Sequence, residues 1–418
     1  MKKIYKLLSS IIIITFIMLS GCAETPKPSL FADVPTGPIG SAPTISSIDP
    51  AGSALASTTV MTITGTNFSA DPSKDFLYFN GRPVTITSAT TTSLVFKAPA
   101  LLSDTSQYEI GNFKVATINA ELFSNTMSYK INPAIFQFFA FTQYQKPYSF
   151  IFDQSGNVFV SMTNETNAGL GVKKITPDGT LLDYAPKGSE SYWIALRFGP
   201  GGILIGVRQD NARALFQIPA GGGAPVTYAA ISDTKAKISS IDYDASNNLW
   251  VGGNNTSIYK IKADKSIVTY PFTGNITALR VYNNELYAAV KTDSSTKIQS
   301  FAIDGNGDIG NAVEYYDYSK DFGSENVNAI EFAADGTMYL ATNNVNSPIV
   351  VVNPNKASEV LFPGTLAQAP AINLGWDTNG YLYYTRGQVY DAAAGAVSIF
   401  QTILRLSVFK QGAPYYGQ

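Results

Sequence analysis

The side chains best suited to hold a ligand are aromatic, amide and cationic residues that stand in turns rather than inside apolar runs. Aromatic rings can stack on the C–H faces of a sugar, while amides and cationic groups can pair with its hydroxyls. Twelve such residues are predicted to form a ligand-binding surface: Tyr148, Tyr192, Trp193, Arg208, Asn211, Asn254, Asn255, Lys291, Asn343, Asn344, Arg386 and Tyr390. Any single Asn has a simpler explanation, because Asn tolerates the left-handed backbone angles of turns.

The residue types that are missing exclude several kinds of catalysis. The 418-residue chain has no histidine and one cysteine. Serine–histidine and cysteine–histidine nucleophiles, imidazole metal sites, intrachain disulfides and thiolate clusters are therefore excluded. Lys and Arg number 29 against 31 Asp and Glu, and no basic run follows residue 6. This balance argues against a nucleic-acid partner, which needs a clustered cationic face.

Two weaker patterns leave other chemistry open. Asp304, Asn306 and Asp308 alternate with glycines as in a calcium-binding loop, but the twelfth position is Tyr315 instead of Glu, which favours a glycine-rich hairpin. Apart from this loop, no cofactor or metal is expected. Tyr390 with Arg386 could serve a polysaccharide lyase, because a nearby cation lowers the pKa of a tyrosine and lets it exchange a proton. Catalysis therefore stays open, with non-catalytic binding favoured.

The N-terminal segment has the pattern of a targeting signal. Residues 1–21 combine three lysines with a 13-residue apolar run, which is too short to cross a membrane and is typical of a signal peptide. The run ends in Leu19-Ser20-Gly21-Cys22. This motif resembles a lipobox and implies lipidation of Cys22. Because no Asp follows Cys22, we expect a lipid anchor in the outer membrane. This signal does not determine which leaflet carries the anchor, and exposure at the cell surface is a separate expectation. Residues 22–42 contain four prolines and are predicted to be a tether.

Residues 43–131 show short alternating strands separated by turns, the pattern of a small β-sandwich. The most specific elements are Ile63-Thr64-Gly65-Thr66-Asn67-Phe68 and the Asn80-Gly81 turn that follows Phe79. The segment resembles the IPT/TIG family of immunoglobulin-like domains, and the resemblance implies a spacer. Phe68 is expected in the core. Gly65 is expected to adopt a backbone conformation that a β-carbon would forbid.

Past Pro133 one pattern recurs six times: an apolar strand, a tight polar turn and a second strand. The steps between equivalent positions range from 37 to 52 residues, measured along Val158, Ile203, Leu249, Leu286, Met338 and Leu382. This period predicts a six-bladed β-propeller over residues 132–418. A strand from Ile135 to Phe141 is expected to complete the last blade, and Trp250 and Trp376 are expected in the core. The repeats resemble NHL-type propellers and their gluconolactonase-like relatives.

The predicted fold is thus all-β, an IPT/TIG sandwich followed by a propeller. The loops that lead into the innermost strands and those between second and third strands share one propeller face, where the twelve residues are expected to meet. This layout resembles the surface glycan-binding lipoproteins of Bacteroidetes-type bacteria. It implies a non-catalytic protein that captures a glycan, with an outer-membrane transporter as a partner. A polysaccharide lyase, a metal-dependent lactonase and a protein-interaction scaffold remain the alternatives.

Overall fold

A computed structural model describes residues 40–101, 108–188, 192–209 and 213–418, and these are folded almost entirely as β-structure. The predicted signal peptide, Cys22 and most of the predicted tether lie outside the described residues. Within the described ranges, no helix is long and apolar enough to cross a membrane.

The first domain is a sandwich of two sheets. Its strands are β1 Thr44–Asp49, β2 Ser53–Leu55, β3 Val60–Thr66, β4 Asp75–Phe79, β5 Arg82–Val84, β6 Ile86–Thr90, β7 Ser93–Lys97, β8 Glu109–Thr117 and β9 Met127–Asn132, with a short 3-10 turn at Pro72–Lys74. One sheet has the order β1-β3-β7-β6 and the other the order β2-β9-β8-β4-β5. The predicted Asn80-Gly81 hairpin turn joins β4 to β5, with φ of 50° and 79° at its two residues.

The sandwich core explains the glycine at position 65. Phe68 is 4% exposed and packs in the core, as predicted. Gly65, however, does not have a positive φ, so the expected backbone conformation was wrong. A β-carbon at this position would lie 1.8 Å from the carbonyl oxygen of Thr44 and 2.5 Å from the Phe68 ring. Glycine is needed here because two neighbours approach the backbone closely.

The second domain follows the sandwich and contains the remaining strands of the chain. They are β10 Ile135–Gln137, β11 Lys146–Phe152, β12 Val158–Thr163, β13 Gly169–Ile175, β14 Leu181–Ala185, β15 Trp193–Gly199, β16 Ile203–Arg208, β17 Ala214–Ile218, β18 Val226–Ala230, β19 Ile238–Tyr243, β20 Leu249–Ile261, β21 Ile267–Tyr282, β22 Glu285–Lys291, β23 Thr296–Ala302, β24 Val313–Asp317, β25 Val327–Phe332, β26 Met338–Thr342, β27 Ile349–Val352, β28 Ser358–Val360, β29 Ala371–Trp376, β30 Leu382–Arg386, β31 Val389–Asp391, β32 Ala396–Ile399 and β33 Thr402–Leu406. A 3-10 turn, Pro200–Gly202, and a short helix α1, Tyr318–Phe322, interrupt them.

These strands form antiparallel sheets that follow the predicted repeat. Four sheets have four strands each, in the orders β11-β12-β13-β14, β15-β16-β17-β18, β25-β26-β27-β28 and β10-β33-β30-β29. A six-stranded sheet runs from β19 to β24, because β20 contains two consecutive strands of one repeat unit and β21 continues from that unit into the inner strand of the next. The pair β31–β32 forms a separate hairpin.

The innermost strands close into a ring. Strands β11, β15, β19, β21, β25 and β29 each contact the next, and β29 contacts β11. Strand β10, from before the first repeat, pairs antiparallel with β33 and places Ile135 opposite Leu406. The last sheet therefore takes its outer strand from the start of the domain, as expected, although this strand ends at Gln137 instead of Phe141. Trp250 and Trp376 are buried at 0% and 2% exposure, and the prediction of a β-propeller is confirmed.

Side chains on the inner strands also tie neighbouring sheets together. Hydroxyl and amide groups of one inner strand donate hydrogen bonds to backbone carbonyls of the next. The pairs are Ser149 Oγ to Trp193 O at 2.7 Å, Ser239 Oγ to Ile276 O at 2.5 Å, Thr277 Oγ1 to Val327 O at 2.6 Å and Asn328 Nδ2 to Ala371 O at 2.8 Å. Polar residues at these positions thus stabilise the ring.

Candidate functional site

Four consecutive inner strands carry charged residues of alternating sign at equivalent positions in the channel. They are Arg197, Asp242, Arg280 and Glu331. The last three lie opposite the aromatic residues Trp250, Tyr287 and Tyr339 of the following strand, and Arg197 lies opposite Ile205. The flanking repeat units have Ile151 and Gly375 at this position. We call these four residues the charge ring.

The charge ring neutralises itself. Asp242 accepts from Arg197 Nε at 2.8 Å and from Arg280 Nη1 at 3.0 Å, while Glu331 accepts from Arg280 Nε at 3.0 Å and lies 3.7 Å from Arg197 Nη2. Burial disfavours the charge of Arg280, but the adjacent Glu331 and Asp242 outweigh this effect and hold the pKa of Arg280 above its ordinary value. The two carboxylates are therefore occupied by guanidinium groups, and the described residues contain no group of three or more acidic, Cys or His side chains suited to a metal ion.

The segment 411–418 covers one mouth of the channel, at the ends of the inner strands. Ala334 N donates to Gln411 O at 2.8 Å, and Ala413 N donates to Phe332 O at 2.9 Å. On the other side of the mouth, Gln418 Nε2 donates to Phe152 O at 2.9 Å. The segment thus bridges inner strands β25 and β11.

Tyr415 connects this segment to the charge ring. Its ring lies 4.5 Å from the guanidinium carbon of Arg280 and 5.7 Å from that of Arg197, within the range of cation–π attraction. Its hydroxyl accepts a hydrogen bond from Trp376 N at 3.0 Å. Burial is the main cause that raises the pKa of Tyr415, and the negative charge of Glu331 adds to it, so the hydroxyl stays protonated.

The opposite mouth contains an aromatic pair that was predicted to bind ligand. Tyr148 and Tyr192 stack with ring centroids 3.6 Å apart and planes inclined by 13°. Both side chains are partly exposed. Tyr148 lies near the start of β11 and Tyr192 immediately precedes β15, so adjacent inner strands bring the two rings together. We call this pair the tyrosine stack.

Trp193 does not join the tyrosine stack, which corrects the expectation that its ring faces a ligand. The residue is 1% exposed and packs edge-on against Phe216 at 5.8 Å. A β-carbon at residue 206 would lie 2.5 Å from the indole, so Gly206 makes room for it. Because successive strand residues point to opposite sides of a sheet, Trp193 is directed into the core.

Several predicted amides support the loops that carry them. Asn343 Oδ1 accepts from Asn328 Nδ2 at 2.7 Å, and Asn344 donates to the carbonyl of Phe322 at 2.9 Å while its own Oδ1 accepts from Asn346 N. Asn343 still has an exposed side chain, whereas Asn344 is half-buried. Both amides therefore stabilise their own loops, as turn amides do. The exposed Asn343 is more accessible to a ligand than Asn344.

The other predicted residues that the structure describes are distributed around the same mouth. Asn254 is exposed and lies opposite Asn275, which in turn lies opposite the half-buried Lys291. The guanidinium carbon of Arg208 lies 3.8 Å from the centre of the Phe216 ring. Asn255 belongs to β20, and Asn211 lies outside the described residues. The structure therefore forms an open polar rim instead of one compact cluster.

Arg386 and Tyr390, the pair considered for lyase chemistry, have different surroundings. Arg386 Nη2 donates to Phe400 O at 3.1 Å, and its side chain is half-buried. Tyr390 is 60% exposed on the hairpin β31–β32. The geometry gives no support to a shared role.

The residues of the calcium-like loop are engaged within the protein. Asp304 Oδ1 accepts the backbone N–H groups of Asn306 and Asp308, both at 2.9 Å, as in a tight hairpin. Asp308 also accepts from Lys260 Nζ and from the hydroxyl of Tyr270. The hydrogen bond from Lys260 lowers the pKa of Asp308. This ion pair joins the hairpin between β23 and β24 to strand β20 of the same sheet.

The charge ring was not recognised as a unit from the sequence. Neither its two carboxylates nor its two arginines belong to the ligand-binding surface predicted from the sequence. The available signal was the alternating sign at one aligned position of successive repeats. The covering segment gave no comparable signal, because its contacts are mostly made by backbone atoms.

Comparison with known proteins agrees with this architecture. Residues 43–131 match the family model described as IPT/TIG domain, so the first domain is a TIG domain. The search of curated proteins returned no match.

Solved structures resemble this chain in fold. An auxiliary nutrient binding protein from Bacteroides thetaiotaomicron has a TM-score of 0.51 and 11% identity, covering 87% of this chain and 97% of that one. A luciferin-regenerating enzyme has a TM-score of 0.51 and 14% identity, covering 67% and 97%. Virginiamycin B lyase from Staphylococcus aureus has a TM-score of 0.45 and 14% identity, covering 73% and 97%. At these identities the likeness concerns the fold alone.

Proposed function

We propose that this protein captures a nutrient glycan at the bacterial cell surface and binds it without catalysis, at the propeller mouth that carries the tyrosine stack. The stack itself is the main support: Tyr148 and Tyr192 are partly exposed and already held in contact. A preformed aromatic surface loses little conformational freedom on binding, so more of its stacking energy contributes to affinity.

The surroundings of the stack suit a neutral polar ligand. Exposed amides at Asn254 and Asn343 lie on the same rim, together with the cationic groups of Arg208 and Lys291. The opposite mouth is covered by residues 411–418. A ligand would therefore approach from the side of the tyrosine stack.

The name of one structural neighbour is compatible with this role, since it is called an auxiliary nutrient binding protein. We further propose that Cys22 carries the lipid anchor in the outer membrane, that the TIG domain acts as a spacer, and that an outer-membrane transporter is the partner. These features would hold a binding surface outside the cell, where polymers first arrive.

Replacement of both stacked rings tests the binding site. The Tyr148→Ala/Tyr192→Ala variant should bind a polysaccharide retained by the unmodified protein at least roughly tenfold more weakly, a change of about 1.4 kcal/mol. Binding is measured by affinity gel electrophoresis over a panel of polysaccharides and then by titration calorimetry. Tyr108→Ala is the matched control, because Tyr108 is an exposed tyrosine of the TIG domain, 48% accessible.

Unchanged retention of the double variant would contradict the proposed site. Unsaturated sugar products, detected by ultraviolet absorbance after incubation with acidic polysaccharides, would contradict non-catalytic binding and favour a lyase. A glycan panel without any retained polymer, combined with capture of an outer-membrane protein, would favour the protein-interaction scaffold.

A further inference from the structure

A cavity lies at the junction of the two domains, and neither ring of the tyrosine stack lines it. It has a volume of about 490 Å³, within the range of small-molecule sites. The TIG domain contributes Ala56 and Leu101, the connecting segment contributes Pro133, and the last propeller sheet contributes Tyr384, Arg386 and Thr402. The cavity therefore exists only when both domains are in place.

The propeller wall of this junction cavity contains polar atoms without partners. Tyr384 Oη, Thr402 Oγ1 and Arg386 Nε are all buried and have no hydrogen-bond partner among the described residues. Tyr384 is 1% exposed and Thr402 is 8% exposed. A buried polar atom left unpaired costs about 1–3 kcal/mol, so three in one wall call for a ligand or for water.

The strand register places these three residues together. Tyr384 and Arg386 are two residues apart in β30 and share one face of the sheet. Thr402 lies directly opposite Arg386 in the neighbouring strand β33. The three unpaired groups thus belong to one continuous patch.

The patch is rich in donors and carries a positive charge. Arg386 uses Nη2 to hold Phe400 O at 3.1 Å, and no ion pair joins it to a carboxylate within the described ranges. Burial raises the pKa of Tyr384 to about 12, which the charge of Arg386 only partly offsets, so the phenol donates a hydrogen bond at neutral pH. A carboxylate would satisfy the guanidinium, and hydroxyls would suit Tyr384 and Thr402, because both side chains can donate and accept.

We propose that the junction cavity binds a small hydroxylated carboxylic acid of the size of a single uronic acid, with its carboxylate on Arg386 and its hydroxyls on Tyr384 and Thr402. The apolar wall formed by Leu101, Pro133 and Leu404 contacts the C–H groups of the sugar ring. The ligand contacts both domains at once.

Titration calorimetry with the full chain tests this site, using glucuronate and glucose as probes that differ in the carboxylate. Glucuronate should bind at least tenfold more tightly than glucose. Arg386→Gln should weaken glucuronate binding by roughly ten- to a hundredfold, since hydrogen bonds to charged groups contribute about 1.5–3 kcal/mol. Tyr384→Phe keeps the ring and should weaken binding by roughly three- to tenfold.

The Tyr148→Ala/Tyr192→Ala variant separates the two sites and should leave glucuronate binding unchanged. Equal binding of glucuronate and glucose, or no binding of glucuronate at millimolar concentration, would overturn the proposal. Full glucuronate affinity in a folded Arg386→Gln or Tyr384→Phe protein would overturn it as well. The near-isosteric Tyr384→Phe variant provides the test if Arg386→Gln does not fold.

Discussion

Removal of one charge from the charge ring should destabilise the propeller strongly. Asp242 is 1% exposed and accepts from Arg197 Nε at 2.8 Å, Arg280 Nη1 at 3.0 Å and Val281 N at 2.7 Å. Asp242→Asn has nearly the same shape but leaves two buried guanidinium groups facing only Glu331. Because an uncompensated buried charge is costly, we expect a loss of about 3–5 kcal/mol in the free energy of unfolding.

Tryptophan fluorescence during urea unfolding measures this loss in the propeller alone. Trp193, Trp250 and Trp376 are the three tryptophans of the chain, all lie in the propeller, and all are at most 2% exposed. The TIG domain contributes no tryptophan signal. A shift of the transition midpoint without a change of slope would report stability directly.

A double variant that removes one positive and one negative charge together serves as the control for charge imbalance. Arg197→Gln together with Asp242→Asn leaves Arg280 and Glu331 as a balanced pair. We expect the double variant to lose at least about 2 kcal/mol less than the sum of the two single losses, as coupled neighbours do. If Asp242→Asn costs under about 1 kcal/mol, or if the single losses add within about 0.5 kcal/mol, the ring does not act as a unit.

Three further predictions follow from other contacts. Tyr415→Ala removes the ring beside two guanidinium groups, so packing and cation–π attraction are both lost. It should lower the propeller's free energy of unfolding by about 2 kcal/mol in the same fluorescence assay. An unchanged transition midpoint would contradict the role of Tyr415. Gly65→Ala places a β-carbon 1.8 Å from a carbonyl oxygen and should lower the free energy of unfolding of the TIG domain by more than about 3 kcal/mol, measured by thermal unfolding. In the propeller, the β-carbon of Gly305→Ala meets open space, so this variant should lower the free energy of unfolding by under about 1 kcal/mol. Similar losses for the two variants would refute this reasoning. Burial raises the folded-state pKa of Asp75 above its ordinary 3.8, so the stability gained from its protonation is present below the unfolded pKa and lost as pH rises through the folded pKa. Asp75→Asn should therefore flatten the pH dependence of TIG-domain unfolding above pH 3.8, and an unchanged profile would show that Asp75 does not cause it.

The repeat pattern predicted the propeller because a strand–turn–strand unit has a local signature. Asn80 and Gly81 show the same for a single turn, since their type alone favours the positive φ that they adopt. The closing strand was also predictable, because Ile135 begins an apolar strand that lacks a partner nearby in sequence. These features depend on neighbours in the chain.

The ligand-binding surface was predicted less well. Tyr148 and Tyr192 were identified as candidates, but their direct stacking depends on how two inner strands lie side by side. Trp193 was predicted on the same surface. It follows Tyr192 by one residue and begins strand β15, so its side chain points to the opposite side, into the core. Arg386 was predicted at the propeller mouth, but the sequence did not indicate that it also lines a cavity with residues more than 250 positions earlier in the chain.

The amino-acid sequence alone determined the order of the strands, the repeat and the type of chemistry available, because alternation, turn residues and missing histidine are properties of the chain itself. Only the tertiary structure decided that Arg197, Asp242, Arg280 and Glu331 neutralise one another, that Tyr415 covers them, and that two domains enclose a cavity. The physical reason is that burial and charge pairing depend on distances between residues far apart in sequence, and ring closure sets those distances.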